Sequence, residues 1–169
     1  MGSRLTAEMY RQDALVLAPQ LMGMILCRTL NNSVLKQRIT EVECYTGESD
    51  TACHAHKAKT ERTKVMYRQG GIAYIYLCYG VHWMLNIVTG KENDPQAILI
   101  RGVAGCDGPG KLTRFLHIDK TLNEENLITS TNLWFEYDNY SCTYTAKKRV
   151  GIDYATEEYK NKLWRFVME

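Results

Sequence analysis

The sequence predicts an α+β fold: one compact domain with a curved, mainly antiparallel β-sheet flanked by helices. Three observations lead there. Short runs rich in β-branched and aromatic residues fill most of the first two thirds of the chain. Two of these runs flank Tyr79-Gly80 and read as a hairpin. Helical periodicity is confined to short stretches, and no linker, repeat or low-complexity segment divides the 169 residues.

Residues 1–5 are expected to lie outside the fold, as disordered or added sequence. Residues 6–22 then carry Leu15, Ala18, Leu21 and Met22 at helical spacing, with Asp13 as N-cap, Gly23 as stop and Pro19 in the last turn. Strands follow at 24–29 and 35–45. In the second of these neither alternating face is cleanly apolar, so one side is expected to carry function. Residues 72–78 and 81–88 form the hairpin, and 97–104 a buried strand. Gly108-Pro109-Gly110 introduces a helix at 111–117. Strands at 132–137 and 142–152, a short helix at 156–162 and a strand at 164–167 complete the reading.

Composition narrows the function classes. No apolar run is long enough to cross a bilayer as a helix and no signal-peptide pattern opens the chain. Six cysteines without a C-x-x-C pair suit buried thiols in a reducing intracellular compartment. A net charge of +2 names no partner, but Lys57, Lys59, Arg62, Lys64 and Arg68 face one acid, Glu61, in a single stretch. Lys147-Lys148-Arg149 is a second basic cluster. Such a loop is either a polyanion footprint or an ordinary solvated segment.

Certain residues look chemical. On a strand, residues two apart share a face, so Glu41, Glu43 and Tyr45 point the same way. Two acids on an aromatic-bearing face are costly to bury unless they are paired or working; the alternative is a plain solvated face. Tyr74 and Tyr76 share a face of the hairpin, where Tyr74 and Trp83 read as core. Tyr79 at the turn is placed to act as a wedge between bases. Arg101 and Asn86 stand inside apolar strands and need partners or a substrate.

The run Thr40-Glu41-Val42-Glu43-Cys44-Tyr45-Thr46-Gly47, then His54, Tyr74-Ile75-Tyr76, Tyr79-Gly80, Asn86, Leu99-Ile100-Arg101, Gly108-Pro109-Gly110-Lys111-Leu112 and Arg149-Val150-Gly151-Ile152 occur in one order. With Trp164-Arg165-Phe166 they resemble the alkyladenine (3-methyladenine, or methylpurine) DNA glycosylases, from about Ala14 to Phe166. The resemblance implies a monofunctional enzyme without metal or organic cofactor, acting as a monomer on double-stranded DNA. It would work in the nucleus of a eukaryote or the cytoplasm of a bacterium. It would flip out and excise 3-methyladenine, 7-methylguanine, hypoxanthine or ethenoadenine, leaving an abasic site.

Carried over by position, Glu43 is the general base, Arg101 holds water and carboxylate, and the Val150 carbonyl completes the water's cradle. Tyr45, His54 and Tyr76 are the walls of the base pocket, and Asn86 disfavours the amino group of guanine. Tyr79 fills the gap in the duplex, supported by Met66. Arg62, Lys64 and Lys111 are expected to clamp phosphates. The sequence departs from the family in a short connection between Arg101 and Gly108, an early end after Phe166, and His82 and Cys44 at positions usually aromatic and small. Two other readings remain: a metal site of Glu43, Cys53, His54 and His56, and a damaged-DNA-binding module without catalysis.

Overall fold

A computed structural model describes residues 2–169. Its spine is β3 (Ser33–Tyr45), a strand of 13 residues. The first half of β3 pairs with β2 (Ile25–Leu30), through a two-residue turn at Asn31-Asn32. Both asparagines adopt positive φ, 49° and 62°, which a type I′ hairpin turn requires and asparagine tolerates. The second half pairs with β6 (Gln96–Val103) and with β10 (Arg165–Met168). Register shifts between Ile39 and Val42 mark a bulge where one set of partners gives way to the next.

Ten strands among the described residues make one antiparallel, open sheet. From β3, one side continues through β2 to β8 (Leu133–Tyr137) and β1 (Ser3–Arg4). The other continues through β6 to β5 (His82–Thr89) and β4 (Ala73–Cys78). β7 (Cys106–Asp107) adds to β6, and β9 (Tyr144–Lys147) to β10. The helices are short: α1 (Ala7–Tyr10), α2 (Ala14–Leu21), α3 (Pro109–Phe115) and α4 (Glu157–Lys160). The fold is α+β, as the alternation of short β-rich runs predicts.

Period-2 alternation assigns the two faces. Val42 and Cys44 of β3, Ile98 and Ile100 of β6, Leu85 and Ile87 of β5, and Ala73 and Ile75 of β4 join the main core. Leu17, Ala18 and Leu21 of α2 and Leu112 and Leu116 of the α3 region complete it. Burying these side chains contributes about 1.5–3 kcal/mol for each large one. The opposite parity on the same four strands is left for the other face.

Two expectations are corrected, and the Asp13 cap stands through its backbone. Ser3 and Arg4 pair with β8 and Leu5 is buried, so residues 3–5 are part of the fold. Asp13 caps α2 through its carbonyl, which accepts from Val16 and Leu17, while its carboxylate takes the Gln96 amide. The strand expected at 142–152 is only Tyr144–Lys147, because Arg149 is drawn into the interior.

Candidate active site

The second face of β3–β6–β5–β4 presents Glu43 and Tyr45, Ala97, Leu99 and Arg101, Met84 and Asn86, and Tyr74 and Tyr76. Residues 52–54 and the 150–154 segment close over them, and Met66 lines the same cleft. Together they line a cleft of about 400 Å³, within the usual size of small-molecule pockets. Exposed Leu77, Tyr79, Val150 and Tyr154 stand at its mouth.

Glu43 sits in the cleft wall with a fully buried side chain, 0% exposed. Its Oε2 accepts from the Tyr45 hydroxyl at 2.9 Å and its Oε1 from the Val150 N–H at 2.7 Å. Arg101 Nε lies 3.6 Å from Oε1. Burial raises the Glu43 pKa above its ordinary value, and Arg101, the Val150 N–H and the Tyr45 hydroxyl oppose that rise without cancelling it. Burial likewise raises Tyr45, so its hydroxyl keeps its proton and donates. Val150 thus meets Glu43 through its N–H.

Glu41 is occupied differently. One of its oxygens accepts from both Arg101 Nε and Arg165 Nη1, each at 3.0 Å. Glu41 is thus held in two ion pairs and does not line the cleft, whereas Glu43 does. Arg101 spends Nε on Glu41 and also lines the cleft.

The aromatic wall is built by hairpin parity and a 3-10 turn at His54–His56. His54 packs edge-on against Tyr76 with ring centroids 4.5 Å apart, and its Nδ1 lies 3.1 Å from the Tyr74 hydroxyl. Burial, helped by Arg62, pushes His54 down to about 4, so the ring is neutral near pH 7. Asn86 is buried and its Nδ2 donates to the Tyr74 and Met84 carbonyls at 3.2 and 3.4 Å.

The candidate DNA contacts separate. Tyr79 is 87% exposed at the tip of the β4–β5 hairpin with φ of 51°. Met66 is buried and lines the cleft from a second 3-10 turn at Thr63–Tyr67. Arg62 lies over the Tyr76 ring, 5.8 Å from its centroid, and lines the cleft. Lys64 pairs with Glu61 at 2.6 Å beside a separate hollow, and Lys111 is exposed on α3; neither lines the cleft.

Sequence reasoning missed the strongest polar anchor. Arg149 makes a buried two-pronged ion pair with Asp50 at 2.6 and 3.0 Å and donates to the Cys44 carbonyl at 2.9 Å. Its guanidinium also stacks between Tyr45 and Trp164, 4.9 and 5.0 Å from their centroids. This anchor fixes the neighbouring Val150 N–H against Glu43. The His54 and His56 rings bond the Tyr74 hydroxyl and the Glu48 carbonyl respectively. Among the described residues no group of three His, Cys, Asp or Glu is arranged to hold a metal ion.

The chain matches the family described as methylpurine-DNA glycosylase over residues 8–105 and 104–169. The join between the two segments falls in the tight Ala104-Gly105 turn, within the short connection after Arg101. A protein of Borrelia garinii named "Putative 3-methyladenine DNA glycosylase" is 42% identical, covering 95% of this chain and 93% of its own. Proteins of the same name from Natranaerobius thermophilus and Desulfitobacterium hafniense are 39% and 38% identical, covering 96% and 98% of this chain and 94% and 95% of their own. The chain belongs to the methylpurine-DNA glycosylase family of DNA-repair enzymes.

Proposed function

We propose that this chain excises single damaged purines from double-stranded DNA by hydrolysis, with Glu43 as general base. The observation that carries the reading is a buried carboxylate, flanked by Arg101, in the wall of an aromatic cleft of about 400 Å³. Tyr79 enters the duplex in place of the lost base, and the base stacks against Tyr45, His54 and Tyr76. Stacking of this kind offsets the cost of unpairing by about 1–3 kcal/mol per base.

Glu43 takes a proton from water, whose oxygen bonds to the sugar C1′. The C1′–base bond breaks and its electron pair leaves with the purine. Arg101 holds the water and steadies the carboxylate. No side chain forms a covalent link to the sugar, so the product is an abasic site with an intact strand. Because Glu43 is closed off by Tyr45 and Val150, water reaches it only after a small shift of one of them when the base enters. The substrates assigned are 3-methyladenine, 7-methylguanine, hypoxanthine and ethenoadenine, taken without metal or organic cofactor. Asn86 is assigned the exclusion of guanine, and Lys64 and Lys111, which do not line the cleft, the contacts to phosphates. The enzyme works as a monomer inside the cell, in the compartment that holds the DNA.

A duplex carrying one hypoxanthine, treated with protein and then hot alkali, tests this. Wild-type protein should yield an alkali-labile site, and Glu43→Gln should lower the rate by about 10²–10⁴ while still binding the duplex. Binding without any alkali-labile site from the wild-type protein would identify a lesion-binding module instead.

A further inference from the structure

We propose that Arg62 sets the lesion preference of the cleft, favouring uncharged purines over cationic N-alkylated ones. This rests on the reading that the cleft holds one everted purine. Three charge-bearing groups line it: Glu43, Arg101 and Arg62. Arg101 is compensated, with Glu41 at 3.0 Å and Glu43 at 3.6 Å. Arg62 is not: among the described residues no carboxylate lies within ion-pair distance of it. His54, neutral near pH 7, adds no charge of its own.

The position of Arg62 is built into its turn. The Thr60 hydroxyl accepts the Thr63 N–H, the Thr63 hydroxyl donates to the Ala58 carbonyl, and Thr63, Val65 and Met66 are buried beneath. The guanidinium is thereby held over Tyr76 rather than turned along the outer surface. Its field is felt inside the wall: burial raises the Tyr74 hydroxyl and Arg62 opposes that rise, while burial lowers His54 and Arg62 adds to that fall.

Two consequences follow for an entering base. A purine alkylated on a ring nitrogen, still bound to its sugar, carries a positive charge and meets an uncompensated cation. Arg62 also already occupies a face of Tyr76, the cation–π contact that such a base would otherwise gain. A neutral purine with O6 and N7 acceptors meets no repulsion and can accept hydrogen bonds from the guanidinium. For charges about 6 Å apart in a partly wet cleft, the discrimination is on the order of tenfold.

The test is single-turnover excision with saturating enzyme on two duplexes, one with 7-methylguanine and one with hypoxanthine. Arg62→Gln should raise the 7-methylguanine to hypoxanthine rate ratio about tenfold over wild type, and Arg62→Lys should leave it near the wild-type value. Circular dichroism checks that both variants fold. An unchanged ratio overturns the inference, including the case in which both rates fall together with a shallower salt dependence of binding, the signature of a phosphate contact. Release of neither base by the wild-type protein would overturn the proposed function and this inference with it.

Discussion

At Glu43, burial makes the charge costly while Arg101, the Val150 N–H and the Tyr45 hydroxyl recover only part of the cost. A general base works in its ionised form, so excision should fall as pH drops through the Glu43 pKa, which lies above the ordinary carboxylate value. A pH–rate profile should therefore show an acid limb displaced upward, and that limb should vanish from the residual activity of Glu43→Gln. The same shift sets a stability sign. A carboxyl with a raised folded-state pKa stabilises the fold below its unfolded pKa and loses that contribution as pH rises. The proposed catalytic set was readable as one constellation because it obeys period 2: Glu41, Glu43 and Tyr45 fall on one face, and Arg101 on the matching face of β6. Arg149 was not legible. Beside Lys147 and Lys148 it looks like a solvated patch, and its partner Asp50 is 99 residues away.

Elements place these side chains with different security. The β4–β5 hairpin turns on Tyr79 and Gly80, both at positive φ of 51° and 65°. Asparagine suits the first position of such a turn better than tyrosine, so Tyr79→Asn keeps the hairpin and removes only the ring. Its melting temperature should match or exceed that of wild type. Excision from a fully paired duplex should fall roughly tenfold through lost stacking, and excision from a single strand much less. The segment carrying Val150 depends instead on the Arg149–Asp50 pair. Asp50→Asn leaves a buried cation unpaired and should cost about 3–5 kcal/mol in urea unfolding. The hairpin was readable from its aromatic and β-branched runs. The 3-10 turns holding His54 and Met66 were not, since they have no apolar period and are fixed by tertiary contacts alone.

Across the whole molecule, β3 belongs to both halves of the sheet. Its first six residues pair with β2, and the remainder with β6 and β10. The fold class was readable from local alternation, but this sharing was not, because it depends on which distant strands meet β3. It leaves the protein no way to loosen the end of the strand bearing Glu43 while the rest stays intact. In deuterated buffer, amides around residues 42–44 should therefore exchange only when the entire chain opens, and denaturant should speed them with the slope of complete unfolding. Whatever local breathing admits a nucleotide must then come from the loops over the cleft, and a tracer of backbone opening should show those loops fast above a platform that scarcely moves.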